Sequence, residues 1–108
     1  MKDAKLSEMH RGWFIGKFRP SVFETEACEV AVKMYAAGDK EASHYHRVST
    51  EITVVISGKI RMLNREWGAG DIIVIEPGEA TDFEAVTDAV NVVVKLPGEL
   101  DDKYLSNP

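Results

Sequence analysis

The 108-residue chain has one cysteine, Cys28, only three histidines and four prolines. A lone thiol cannot close an intrachain disulfide, so no cystine framework holds the fold, and a reducing compartment, the cytoplasm, is expected. Cys28 reads as a small residue packed at a strand start. Long hydrophobic runs are also missing: stretches such as Ile72-Ile73-Val74-Ile75 fall far short of the roughly 20 residues that cross a bilayer. Met1 to Arg11 mixes Lys2, Asp3, Lys5, Glu8 and His10 without the apolar core of a secretory signal. No membrane span or leader is expected. Basic charge is in the minority, with 13 Lys+Arg against 18 Asp+Glu and a net charge of -5. That sign repels phosphate backbones, so nucleic acid is not an expected partner. No apolar stripe of helical period extends beyond two turns, which excludes a helical bundle or coiled coil.

What is present is a succession of short β-branched runs, separated every eight to twelve residues by Gly, Pro, Asp and Asn. They are Trp13–Arg19, Ala27–Tyr35, Ala42–His46, Glu51–Ser57, Lys59–Leu63, Asp71–Ile75, Thr81–Val86 and Val90–Leu96. Turn chemistry at Gly38-Asp39, Ser57-Gly58, Gly68-Ala69-Gly70 and Pro77-Gly78 joins them. The pattern predicts an all-β fold of about eight strands in one domain. A sheet of that size exposes long edges unless it closes or folds over, so a small barrel or jelly roll is expected. Leu6–Arg11 reads as a helical turn, and the tail from residue 97 to 108 as a surface extension without obvious chemistry.

Two of the three histidines, His44 and His46, stand one residue apart, and Glu51 follows five positions later. On a strand, residues i and i+2 share a face, so both imidazoles project together while Tyr45 points away. Glu51 returns on the next strand after a short turn. Two imidazoles and a carboxylate form a facial set suited to divalent iron, manganese, nickel or zinc, with positions left open for a ligand. Such a site carries a charge of about +1 and attracts small anionic or chelating, oxygen-rich molecules.

Written with its glycines, Gly38-x5-His44-x-His46-x4-Glu51-x6-Gly58 resembles the full first motif of the cupin family, G-x5-H-x-H-x3,4-E-x6-G. The second motif, G-x5-P-x-G-x2-H-x3-N, is matched in part by Gly70 to Ala85: Gly70 and Gly78 agree, while Glu76, Thr81 and Ala85 stand for its proline, third histidine and asparagine. The resemblance implies a single-domain, cupin-type jelly-roll β-barrel over residues 1–108. Its barrel proper spans about 30–96, with an N-terminal strand segment at 12–29 and an extension at 97–108. It also implies that His44, His46 and Glu51 hold a divalent metal, with Thr81 positioning a water in place of the missing histidine.

Three functions follow as expectations: a metal-dependent isomerase, epimerase or dioxygenase acting on a small molecule, a ligand-binding or sensing module, or a structural dimer partner. His10 could join the site only by a fold-back of the N-terminal segment. Strand alternation is read as placing Val30, Val32 and Met34 in the core. Lys33 and Lys95 are expected to face solvent, and Trp13, Phe14, Phe18 and Phe23 to cover a barrel edge or the seam of a homodimer.

Overall fold

Valine and isoleucine at alternate positions fit a pleated surface with one buried face, and the chain folds accordingly into strands. The computed structural model describes residues 1–106; Asn107 and Pro108, at the end of the expected extension, lie outside the described residues. Ten strands form: β1 (Trp13–Ile15), β2 (Glu29–Tyr35), β3 (Lys40–Tyr45), β4 (Thr50–Ser57), β5 (Lys59–Met62), β6 (Arg65–Gly68), β7 (Ile72–Ile75), β8 (Thr81–Ala85), β9 (Ala89–Leu96) and β10 (Tyr104–Leu105). A single 3-10 turn, Leu6–Glu8, occupies part of the expected Leu6–Arg11 turn.

The strands make two five-stranded sheets, ordered β1-β2-β9-β4-β7 and β10-β3-β8-β5-β6. Every strand pair is antiparallel. Among the described residues no ladder joins the sheets into a closed cylinder, so the expected barrel is an open jelly roll of two facing sheets. Between them, Val55, Ile60, Met62, Ile73, Ile75, Phe83, Ala85 and Ala89 form the apolar core, with Tyr35, Leu63 and Trp67 packed against it. Each core strand contributes by strict alternation: Ile73 and Ile75 of β7 are buried while Ile72 and Val74 are exposed.

Two strands escaped the sequence reading. β6 pairs with β5 through a two-residue loop, Leu63-Asn64, whose φ values of 54° and 60° fit the primed turns of tight hairpins. The loop has no glycine to mark a turn, and the strand opens on polar, exposed Arg65 and Glu66, so neither carries much signal. β10 lies in the tail and pairs with β3, Tyr104 opposite Tyr45 and Leu105 opposite His44. The first strand ends at Ile15, short of Arg19, and is followed by the buried Gly16, where a side chain would collide with the Phe18 ring.

The facing of β2 is the reverse of that expected. Ala31 is fully buried and Glu29 nearly so, while Met34 is 71% exposed. Val30, Val32 and Met34 therefore lie on the outer face, and Glu29, Ala31, Lys33 and Tyr35 look inward. A charged residue in an apolar strand usually faces solvent, whereas here the strand's apolar side is the outer one. The motif's closing glycine has a local reason: Gly58 has φ +82°, and a Cβ there would strike the backbone at Asp88 and Ala89.

Candidate functional site

The apolar core fills only one end of the jelly roll, and none of its eight buried residues lines the cavity at the other end, of about 410 Å³. His44, His46 and Glu51 open into that cavity together with Lys33, Tyr35 and Lys95. A larger and more open depression, of about 610 Å³, lies between the N-terminal segment and Lys40 and is lined by no histidine.

His44 and His46 stand on one side of β3 and its exit, as their spacing requires. Their rings meet edge to face with centroids 5.4 Å apart. Tyr45 turns the other way and stacks on Tyr104, centroids 5.5 Å apart, with the Arg47 guanidinium 4.1 Å from the Tyr104 ring centre. Each imidazole is oriented by a backbone carbonyl: His44 Nδ1–H donates to Ala42 O at 3.0 Å and His46 Nδ1–H to Asp102 O at 2.6 Å. A carbonyl can only accept, so in the neutral ring the Nδ1 proton is fixed and the Nε2 lone pair is left bare. His46 is 4% exposed and its Nε2 has no hydrogen-bond partner. That atom lies 3.8 Å from Glu51 Oε1.

Two ligands each about 2.1 Å from a common cation lie roughly 3–4 Å apart, so the His46–Glu51 spacing suits a shared ion. His44 stands beside this pair. Among the described residues, however, no three His, Cys, Asp or Glu side chains are already gathered into a metal-binding group.

The tail is part of the site, contrary to its reading as a surface extension. Asp102 is 5% exposed. Its carboxylate accepts the N–H groups of Arg47, Val48 and Ser49, at 2.9 to 3.2 Å. Burial alone would raise its pKa, but the backbone N–H groups of Ser49, Arg47 and Val48 outweigh it and hold the carboxyl below its ordinary range. Asp102 thus fixes the loop between His46 and Glu51 with its side chain, and the His46 ring with its carbonyl. A single aspartate in a polar tail gives no sequence signal of this.

Thr81 sits opposite His44 in the β3–β8 pairing. Its hydroxyl accepts the Leu63 N–H at 2.9 Å and donates to Asp82 O at 2.7 Å. The hydroxyl is thus engaged by the backbone on both sides, and Thr81 is not among the residues that line the cavity.

Lys33 and Lys95 face the cavity, not solvent. Lys33 Nζ donates to Arg11 O at 3.0 Å and lies 5.7 Å from the centre of the Trp13 ring, and Lys95 Nζ lies 5.0 Å from the same ring. Trp13, on the edge strand β1, and Phe18 line the cavity, whereas Phe23 is 64% exposed. The N-terminal segment does fold back, and His10 reaches the cavity rim. Tyr35 packs on Phe83 with ring centroids 4.4 Å apart. Burial foremost, then the negative charges of Glu41, Glu51 and Asp39, push its hydroxyl far above the ordinary tyrosine pKa.

No protein-family model matches the sequence, and no curated protein matches it. Solved structures do. One is an uncharacterized conserved protein with a double-stranded β-helix domain from Klebsiella pneumoniae, 24% identical, with 100% of this chain and 99% of that one covered and a TM-score of 0.73. An RmlC-like cupin from Shewanella frigidimarina is 16% identical over 71% of this chain and 72% of its own, at a TM-score of 0.66. Oxalate decarboxylase from Bacillus subtilis, described with Mn(II) centers, is 18% identical over 75% of this chain and 24% of its own, at a TM-score of 0.62. The fold is the double-stranded β-helix of the cupins.

Proposed function

We propose that the chain is a metal-binding cupin in which His44, His46 and Glu51 hold a divalent ion, and that it is a metal-dependent enzyme of isomerase, epimerase or dioxygenase type. Its substrate in this reading is a small, oxygen-rich or anionic molecule. The observation that carries the proposal is the buried, partnerless Nε2 of His46, 3.8 Å from a carboxylate, on a ring whose other nitrogen is tied to Asp102. Such a carbonyl-oriented imidazole is the usual form of a metal-bound histidine. Mn(II) is the first ion to test, since the decarboxylase of the same fold is described with Mn(II) centers.

A bound divalent ion supplies Lewis-acid polarisation of a substrate oxygen or, if iron, a place for dioxygen. The chain's own groups do the rest. Lys33 and Lys95 bring positive charge to the cavity, and Tyr35 holds a proton firmly enough to donate a hydrogen bond at any physiological pH. Trp13 and Phe18 give the cavity part of its apolar lining.

Mn(II) titration of the metal-free protein followed by electron paramagnetic resonance tests the reading. Binding of one ion per chain, lost in His46→Ala and Glu51→Ala, supports it; equal binding in wild type and both variants overturns it. The absence of a histidine at Thr81 favours a second reading, a ligand-binding module that performs no chemistry. Turnover of no small acid or sugar derivative by protein that does bind Mn(II) is its expected signature.

A further inference from the structure

We propose that Lys33, Lys95 and Glu29 form a subsite for a small hydroxy acid, the two ammonium groups holding its carboxylate and Glu29 accepting its hydroxyl. The inference rests on the cavity being a ligand site, as proposed above, but not on its metal.

The row is set by register. Glu29 of β2 pairs with Lys95 of β9, and Lys95 pairs with Glu51 of β4, so three charged residues stand side by side across the inner face of one sheet. Lys33 follows four residues after Glu29 and so on the same face. The lysines share Trp13, their Nζ atoms 5.7 and 5.0 Å from its ring centre.

This arrangement leaves polar groups underused. Lys95 has a side chain 17% exposed, and its Nζ lies 4.0 Å from Glu29 Oε1, an ion pair beyond hydrogen-bond reach. Glu29 has a side chain 7% exposed, and its Oε2 has no hydrogen-bond partner. Burying such groups without partners is costly, so a ligand that supplies them is favoured. Lys33 is affected first by its burial, then by the opposing charge of Glu41, and then by the like charges of Arg11, Lys95 and Lys103. A carboxylate placed between the ammoniums relieves their mutual repulsion. Its neighbouring hydroxyl, acting as donor, meets the unpaired Oε2. A cavity of about 410 Å³ admits a molecule of that size.

Calorimetric titration of the EDTA-treated, metal-free protein with malate, and with succinate as the analogue lacking the hydroxyl, tests this. Malate is expected to bind at least about tenfold tighter than succinate, because a hydrogen bond to a charged group is involved. Lys33→Met and Lys95→Met each weaken malate about tenfold or more, while Lys95→Arg, which keeps the charge, retains binding. Glu29→Leu brings the malate-to-succinate ratio close to one. Circular dichroism of each variant confirms that it is folded. Malate affinity unchanged in folded Lys33→Met and Lys95→Met, or no binding of either acid by the wild type at millimolar concentration, overturns the subsite. Malate binding in a protein that takes up no Mn(II) overturns the metal reading and leaves the subsite standing.

Discussion

His46 is tied to Asp102, 56 residues away in sequence, by a hydrogen bond of 2.6 Å from Nδ1–H to the backbone carbonyl. The same aspartate accepts three backbone N–H groups from the loop that leads to Glu51. One tail residue therefore sets both the ring that offers a lone pair and the path to the carboxylate beside it.

Asp102→Ala removes that loop clamp and leaves the buried Ser49 N–H and the part-buried Arg47 and Val48 N–H groups without this acceptor. A loss of about 1–3 kcal/mol in unfolding free energy is expected from denaturant melts. Mn(II) affinity is expected to fall about tenfold, because the loop that leads to Glu51 loses its anchor while the backbone carbonyl that orients His46 is kept. Asp102→Asn, which keeps one acceptor oxygen, is expected to lie between wild type and alanine on both scales.

The pH dependence of that difference has a definite sign. A carboxyl whose folded pKa is depressed contributes fully above its unfolded pKa, about 4, and loses the contribution as pH falls through the folded value. The gap in melting temperature between wild type and Asp102→Ala is thus expected to stay level from neutral pH to about 5. It narrows below about pH 4. Thermal melts of the metal-free proteins across this range provide the check, and a gap that widens on acidification contradicts it.

Gly58→Ala puts a Cβ into a left-handed backbone at φ +82° and against the carbonyl of Asp88. A destabilisation of about 1–3 kcal/mol is expected. For a domain of this size that lowers the melting temperature by roughly 4–8 °C per kcal/mol. Gly38→Ala, also at positive φ but with open space around it, is expected to cost less; scanning calorimetry of the two variants compares them.

The outer face of the β2-β9-β4-β7 sheet carries Met34, Ile56, Ile72 and Val74 at exposures of 71, 53, 62 and 49%. Val92, Val94, Ile52 and Val54, all part-exposed, lie between them. Apolar sheet faces pack on one another about 10 Å apart, and two copies related by a two-fold axis present the same rows to each other. The four strands, about 4.8 Å apart, span roughly 14 Å from the first to the last. Multi-angle light scattering is expected to give twice the 12.0 kDa chain mass, and Val74→Lys with Ile56→Glu to return the monomer. A 12.0 kDa particle from the wild type removes this pairing.

Much of the fold was legible because glycine, proline and asparagine punctuate β-branched runs, and all but the first expected strand lie within two residues of an observed one. The pairing of His44 with His46 and the outward turn of Tyr45 followed from alternation within a single strand. Between strands alternation gave no anchor. With Val30, Val32 and Met34 opposite Ala31, Lys33 and Tyr35, burial of the larger apolar set was the natural choice, and the exposed outer face defeated it. Lys33, Lys95 and Glu29 were hidden for the same reason, since their common cavity depends on register among β2, β9 and β4. The role of Asp102 needed a contact spanning half the chain, which no local pattern encodes.

The separation of the apolar core from the cavity divides the molecule into a plug and a vessel, joined through Tyr35, which touches both. Changes of selectivity can accumulate at the mouth of the vessel, on Lys33, Glu41 or Lys103, while the plug keeps the chain folded. Such a scaffold lends itself to being repurposed from one guest to another.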